Sequence, residues 1–151
     1  MRERSAELAA VLGALAVARS LPDILHIVTV AARALSAAHQ AATSVVVGGK
    51  WERALHAVSL SEKYAAWREY DERPDGSGIY RVVCQLNRPI RLSQAEVEGH
   101  SAWRGFGKAA QRHPPMRGWL AVPLINRSGQ NCGVIQVSDK HEGEFTTWQV
   151  K

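Results

Sequence analysis

A chain of 151 residues, 46% hydrophobic and 22% charged, carries enough apolar material for one core and has the wrong balance for a disordered segment. No apolar run reaches the roughly 18 to 20 residues that span a bilayer. The Ala-rich stretch Ala6–Ala18 ends in Arg19, and Glu3 and Glu7 sit where a secretory leader is positive, so a cytoplasmic chain without membrane contact is expected. The net charge of +5 is spread along the chain. Its densest basic stretch, Arg104, Lys108, Arg112, His113 and Arg117, reads as a solvated loop face, and no nucleic-acid partner is expected. Cys84 and Cys132 lack CxxC spacing, which leaves no zinc or redox-pair signature, and both are expected as buried free thiols.

In chain order, Leu8, Leu12 and Leu15 recur at helical spacing among alanines and predict a first helix. Ser20-Leu21-Pro22-Asp23 starts a second one. Ser20 caps it, proline is tolerated in its first turn, and Asp23 complements the positive end of the helix dipole. This helix is expected to run to about Ala38. Leu21, Leu25, Val28, Ala32 and Leu35 form a stripe that Ile24, Ile27 and Ala31 widen, as for a helix lying on a sheet. The β-branched run Thr43–Val47, the Gly48-Gly49 turn and the stretch Trp51–Val58 predict a hairpin.

A short helical piece is expected over Lys63–Tyr70, and a polar turn at Pro74-Asp75-Gly76. Gly78 opens another helix, with Ile79, Val82, Val83 and Leu86 on one face and Asn87-Arg88-Pro89 as its stop. Ile90-Arg91-Leu92 is short and extended. Ser93-Gln94-Ala95-Glu96 is a capping box that starts a brief helix towards Trp103. A loop follows from Gly105 to Arg117. Trp119–Ile125, the turn residues Asn126-Arg127-Ser128-Gly129 and Val134–Val137 predict a second hairpin. Phe145 and Thr146 announce a helix that Lys151 cuts short. The order of elements argues for an α+β domain with a mainly antiparallel sheet and helices at its ends.

Motifs for chemistry are sparse. There is no G-x-S-x-G, no phosphate-binding G-x-x-x-x-G-K and no dinucleotide G-x-G-x-x-G. The six histidines form neither HxxxH nor HExxH, and Asp71, Glu72 and Asp75 read as solvated rather than as paired acid and base. No catalytic residue, metal or cofactor is expected.

Several segments in order resemble the GAF family. They are Arg88-Pro89-Ile90-Arg91-Leu92-Ser93, Gly118-Trp119-Leu120-Ala121-Val122-Pro123-Leu124, Gly133-Val134-Ile135-Gln136-Val137, Asp139-Lys140 and Phe145-Thr146. The resemblance runs from about Ser20 to the end and is nearest to modules that precede output domains in bacterial sensor proteins, sensor histidine kinases among them. It implies a single GAF/profilin-like domain over residues 1–151, with a sheet of six strands or similar. The terminal helices would lie on one face, and on the other a pocket covered by the short helices and the long loop. Residues 1–19 would form a signalling and dimerisation helix.

The resemblance also implies a regulatory role: binding a small molecule, forming a homodimer, or both. Around the implied pocket fall Tyr80, Trp103, Phe106 and Trp119, with Arg112 and His113 as a polar end, and this is the expected ligand site. Relatives that bind cyclic nucleotides carry Asn-Lys, a Phe and a later Asp-Glu. Here Asp139-Lys140 and Phe145 are followed by Gln149-Val150, and Lys140 is expected to pair with Asp139 or Glu142 at the surface. Bilin-binding relatives carry a Cys-His pair, which neither cysteine offers. Two alternatives remain: a small enzyme similar to the methionine sulfoxide reductases on this fold, which would need neighbouring thiols, and a ligand-free structural linker.

Overall fold

The computed structural model describes residues 2–69, 76–103 and 113–146. Helix α1 (Arg2–Val17) and helix α2 (Leu21–Leu35) lead into a hairpin of β1 (Ala38–Val47) and β2 (Lys50–Leu60). A 3-10 helix (Glu62–Trp67) follows, then α3 (Ile79–Leu86), β3 (Ile90–Leu92), α4 (Gln94–Gly99), β4 (Trp119–Ile125) and β5 (Asn131–Lys140). The strands form one sheet in the order β2-β1-β5-β4-β3, every neighbouring pair antiparallel. The architecture is the expected α+β one, with five strands rather than six among the described residues.

The local signals act as their chemistry requires. The Ser20 Oγ accepts from the Asp23 N–H at 3.2 Å and caps α2. Both bonds of the capping box are made at α4: Glu96 N–H to Ser93 Oγ at 3.2 Å and Ser93 N–H to the Glu96 carboxylate at 2.6 Å. Asn87 closes α3 in the left-handed conformation, φ 49°, its N–H donating to the Val83 carbonyl. Two helices are shorter than expected. α2 stops at Leu35 instead of Ala38, because Ala37 turns left-handed (φ 49°) and Ala38 already pairs with Lys140. α4 stops at Gly99, well before Trp103, because the His100 backbone is extended.

β1 begins five residues before the β-branched run. It is flanked by β2 and β5, and the two ladders extend it through Ala38-His39-Gln40-Ala41-Ala42 despite modest propensity. At Gly133, opposite Val45, a Cβ would run into the Ser44 carbonyl, so only glycine lets β5 close on β1 here.

The sheet has two differently dressed faces, and β4 shows the division by alternation. Trp119 and Ala121 point to one side, where α3 and α4 supply Ile79, Val83 and Val97. Leu120 points to the other, with Ala41, Val137 and Phe145 and with Ala32 of α2 packed alongside. α2 is fixed on that second face by Leu25 and by Thr29, both buried. The Thr29 hydroxyl lies 2.5 Å from the Leu25 carbonyl and 2.7 Å from Thr43 Oγ1. Its single hydrogen goes to the carbonyl, so Thr43 donates to it. α1 packs through Val11, Ala14 and Leu15, which are half-buried, while Leu8 is 50%, Leu12 67% and Val17 74% exposed. The expected stripe of Leu8, Leu12 and Leu15 is therefore split: Leu15 turns inward and the other two face out.

Candidate functional site

The face carrying α3 and α4 gathers Trp119, Trp51, Tyr80 and Trp103. Trp119 is fully buried, and its indole N–H donates to Gln136 Oε1 at 2.6 Å, so a polar handle in the core is satisfied. Tyr80, Trp103 and Met116 pack half-buried against the same cluster. So does Trp51 of β2, whose ring meets Tyr80 edge-on with centroids 6.0 Å apart and planes at 84°. Sequence reasoning placed Trp51 in a hairpin but not in the site. The available signal was a large aromatic beside the Gly48-Gly49 turn, at the end of the strand nearest the short helices. Gly76 runs so close to the Trp51 indole that a Cβ there would collide with the ring. Beside Trp51 an open cleft of about 530 Å³ is lined by Gly49, Lys50, Trp51, Glu52 and Arg53.

Of the expected site residues, Tyr80, Trp103 and Trp119 come together in one cluster. His113 is half-buried, its Nδ1 donating to the Pro114 carbonyl at 2.6 Å. Burial pushes its imidazole below the usual range, against that bond, which raises it. Phe106 and Arg112, with most of the Gly105–Arg117 loop, lie outside the described residues. The end of that loop is tied to the sheet and to α4. Gln40 Nε2 donates to the Pro115 carbonyl at 2.6 Å, Arg117 N–H to Ser138 Oγ at 3.1 Å, and Gly118 N–H to Gln94 Oε1 at 2.9 Å.

A second polar cluster sits at the end of the sheet where β5 leaves it, and sequence reasoning missed it. Asp139 is left-handed (φ 54°) and its side chain is 7% exposed. One oxygen, Oδ2, accepts from Lys63 Nζ at 2.5 Å and from the Tyr64 hydroxyl at 2.6 Å. Asp139, one of the two partners expected for Lys140, pairs instead with Lys63: its left-handed backbone aims the carboxylate inward at the 3-10 helix. Burial by itself raises the Asp139 carboxyl. The hydrogen bonds from Lys63 and Tyr64 and the charges of Lys63 and His39 outweigh that and leave it below the usual range. Burial, then the bond to Asp139, pushes the Tyr64 phenol up to about 12. His39 and His141 stand beside this network with ring centroids 4.3 Å apart. Both cysteines are free and half-buried rather than buried, with Cys132 Sγ 3.3 Å from the Leu124 carbonyl. Among the described residues no three His, Cys, Asp or Glu side chains converge as metal ligands.

The profile of the GAF domain matches residues 20–151. The chain belongs to the GAF family. Solved structures share its fold. One is the GAF domain of a phosphoenolpyruvate-protein phosphotransferase from Coxiella burnetii, with a TM-score of 0.69, 20% identity and 93% of this chain on 80% of that one. Another is the GAF domain of the cyanobacteriochrome TePixJ, at 0.66, 15% identity and 90% on 83%. A third is the free methionine-R-sulfoxide reductase from Neisseria meningitidis in complex with its substrate, at 0.61, 14% identity and 95% on 77%. At such identities the likeness is one of fold. GAF domains are a family of regulatory and sensory domains. Among the described residues of this one, no helix is long and apolar enough to cross a membrane.

Proposed function

We propose that this GAF domain is the regulatory module of a cytoplasmic signalling protein of the sensor histidine kinase type, which holds a small molecule on its α3–α4 face and dimerises through α1. One observation carries the reading: Tyr80, Trp103 and Trp51 pack half-buried on the face opposite α2, against the core cluster that includes Trp119. Mostly apolar surface with a few polar anchors is the usual chemistry of a ligand site. His113 is proposed as one such anchor, and Phe106 and Arg112, which lie outside the described residues, are proposed to belong to the same site. Trp119 is wholly covered, so its part is to support the site rather than to touch the ligand. The exposed Leu8, Leu12 and Val17 of α1 are the surface for a second copy.

The test is a thermal-shift and native mass spectrometry screen against a panel of small metabolites. A saturable one-to-one adduct, lost in Trp103→Ala and weakened in Arg112→Ala with little change of stability, supports the site. Binding that survives both substitutions moves the ligand elsewhere, and an absence of any adduct leaves the linker role. The enzyme reading is separated by incubating the chain with free methionine sulfoxide and a thiol reductant. Cys84 has its thiol pushed up by burial, which disfavours the thiolate such chemistry needs, and no turnover is expected.

A further inference from the structure

We propose that the closely apposed His39–His141 pair, with the Lys63–Asp139–Tyr64 network beside it, is a proton-responsive clasp on the exit of β5, giving this domain an input separate from the α3–α4 face. The clasp joins elements that meet at one end of the sheet. His39 lies at the start of β1, His141 one residue beyond β5, and Lys63 and Tyr64 on the 3-10 helix after β2. The two imidazoles are 4.3 Å apart between centroids and tilted by 44°, and Tyr64 meets His39 edge-on at 6.3 Å. His39 Nδ1 lies 2.7 Å from Ser61 Oγ, which fixes its ring. The backbone closes the same junction. His141 N–H donates to the Ala37 carbonyl at 2.7 Å, and Ser61 N–H donates to the His39 carbonyl at 2.9 Å. Ala37 and Asp139 hold left-handed conformations, φ 49° and 54°, that cost free energy for residues with a Cβ and persist only while their surroundings enforce them.

The charges around the pair decide what protonation does. Arg33 of α2, Lys63 of the 3-10 helix and His141 all act on His39 as positive charges. Asp139 opposes them, but its Oδ2 is already shared by Lys63 and Tyr64. Tyr64, raised to about 12, stays neutral throughout the range in which histidine titrates. Two neutral imidazoles pack without penalty, whereas two imidazolium rings in the same place repel beside two further cations. Burial, and then the charge of His141, hold the His39 imidazole below its usual range. Protonation of His39, which sets a further charge beside His141, Arg33 and Lys63, therefore loosens the His141–Ala37 bond and releases the left-handed turn at Asp139 near the end of β5.

The experiment uses the full chain, labelled for NMR, and follows the imidazole resonances of both histidines and amide exchange at positions 61 and 141 as a function of pH. His39 is expected to titrate below an isolated imidazole and to move upward in His141→Gln, a change at an exposed side chain that leaves the core intact; His39→Gln makes the same test from the other ring. Protection of the amide at position 141, corrected for intrinsic exchange, is expected to fall roughly fivefold between about pH 7 and about pH 5, the repulsion of two unit charges near 4 Å in water. That fall should disappear in either variant. A His39 midpoint unmoved by His141→Gln, or protection at position 141 that is the same at both pH values, overturns the proposal.

Discussion

Asp139 concentrates three physical roles in one residue, and a graded substitution series separates them. Its carboxylate is a buried acceptor for Tyr64 and Lys63, it carries a charge opposite Lys63, and its backbone is left-handed. Asp139→Asn keeps an oxygen for the Tyr64 hydroxyl and a residue type that tolerates the left-handed region, and loses only charge. Because Lys63 is 41% exposed, solvent screens most of the ion pair, and the cost should be about 1 kcal/mol. Asp139→Gly keeps the backbone conformation and removes both bonds, leaving a largely buried phenol without its acceptor, for about 2–3 kcal/mol. Asp139→Ala adds the left-handed penalty of a Cβ, about 1 kcal/mol more. Urea unfolding followed by tryptophan fluorescence, with the slopes compared before the midpoints are interpreted, gives the order Asn, Gly, Ala of increasing damage. If Ala is no worse than Gly, the conformation carries no cost. If Asn is as damaging as Gly, charge rather than hydrogen bonding holds the turn.

Trp119→Ala removes a wholly buried indole and strands Gln136, and should cost about 3–5 kcal/mol in the same assay. Gly133→Ala forces a methyl into the Ser44 carbonyl at the β1–β5 ladder and should cost at least about 2 kcal/mol, visible as a lowered thermal midpoint. Stability should also vary with pH in three windows. Tyr64, raised when folded, contributes stability that is full below pH 10.0 and is lost as pH rises towards about 12, an alkaline loss that Tyr64→Phe abolishes. His39, lowered when folded, binds its proton more readily in the unfolded chain, so stability falls as pH drops below 6.5, and His39→Gln flattens that limb. Asp139, also lowered, contributes stability present above pH 3.8 and lost as pH falls through its folded value, which Asp139→Asn removes.

Local chemistry carried most of the fold. Ser20, Ser93 with Glu96, and Asn87 act within a few residues of themselves, and their helices begin or end where they stand. β4 and β3 match their expected bounds because Gly118, Asn126 and Pro89 punctuate them. Extension of β1 back to Ala38 and of β5 out to Lys140 was not legible, since the ladders that lengthen them are made by residues about a hundred positions apart. The aromatic face was partly legible: Tyr80, Trp103 and Trp119 share a cluster, but Trp51 joins it through the sheet's lateral order, which no local pattern encodes. The Asp139 network was invisible for the same reason. Lys63, Tyr64 and His39 look like surface residues until β1, β2 and β5 bring their ends together, and Asp139 beside Lys140 suggests the wrong partner.

The central claim is that this domain regulates, which means that occupancy of its ligand face changes how α1 associates. The most direct measurement is sedimentation velocity of the full chain over a range of concentration, with and without a compound found to bind, alongside the affinity of that compound for the wild type and for a Leu8→Glu, Leu12→Glu variant. With one site per protomer, linkage requires a saturating compound to shift the monomer–dimer equilibrium by the square of the factor by which dimerisation shifts its per-site affinity. The expected result is a dimer in the wild type, a folded monomer in the variant, and a dimerisation shift that is the square of a non-unit affinity shift. A compound that binds monomer and dimer alike, or a wild type that stays monomeric at every concentration, would contradict it.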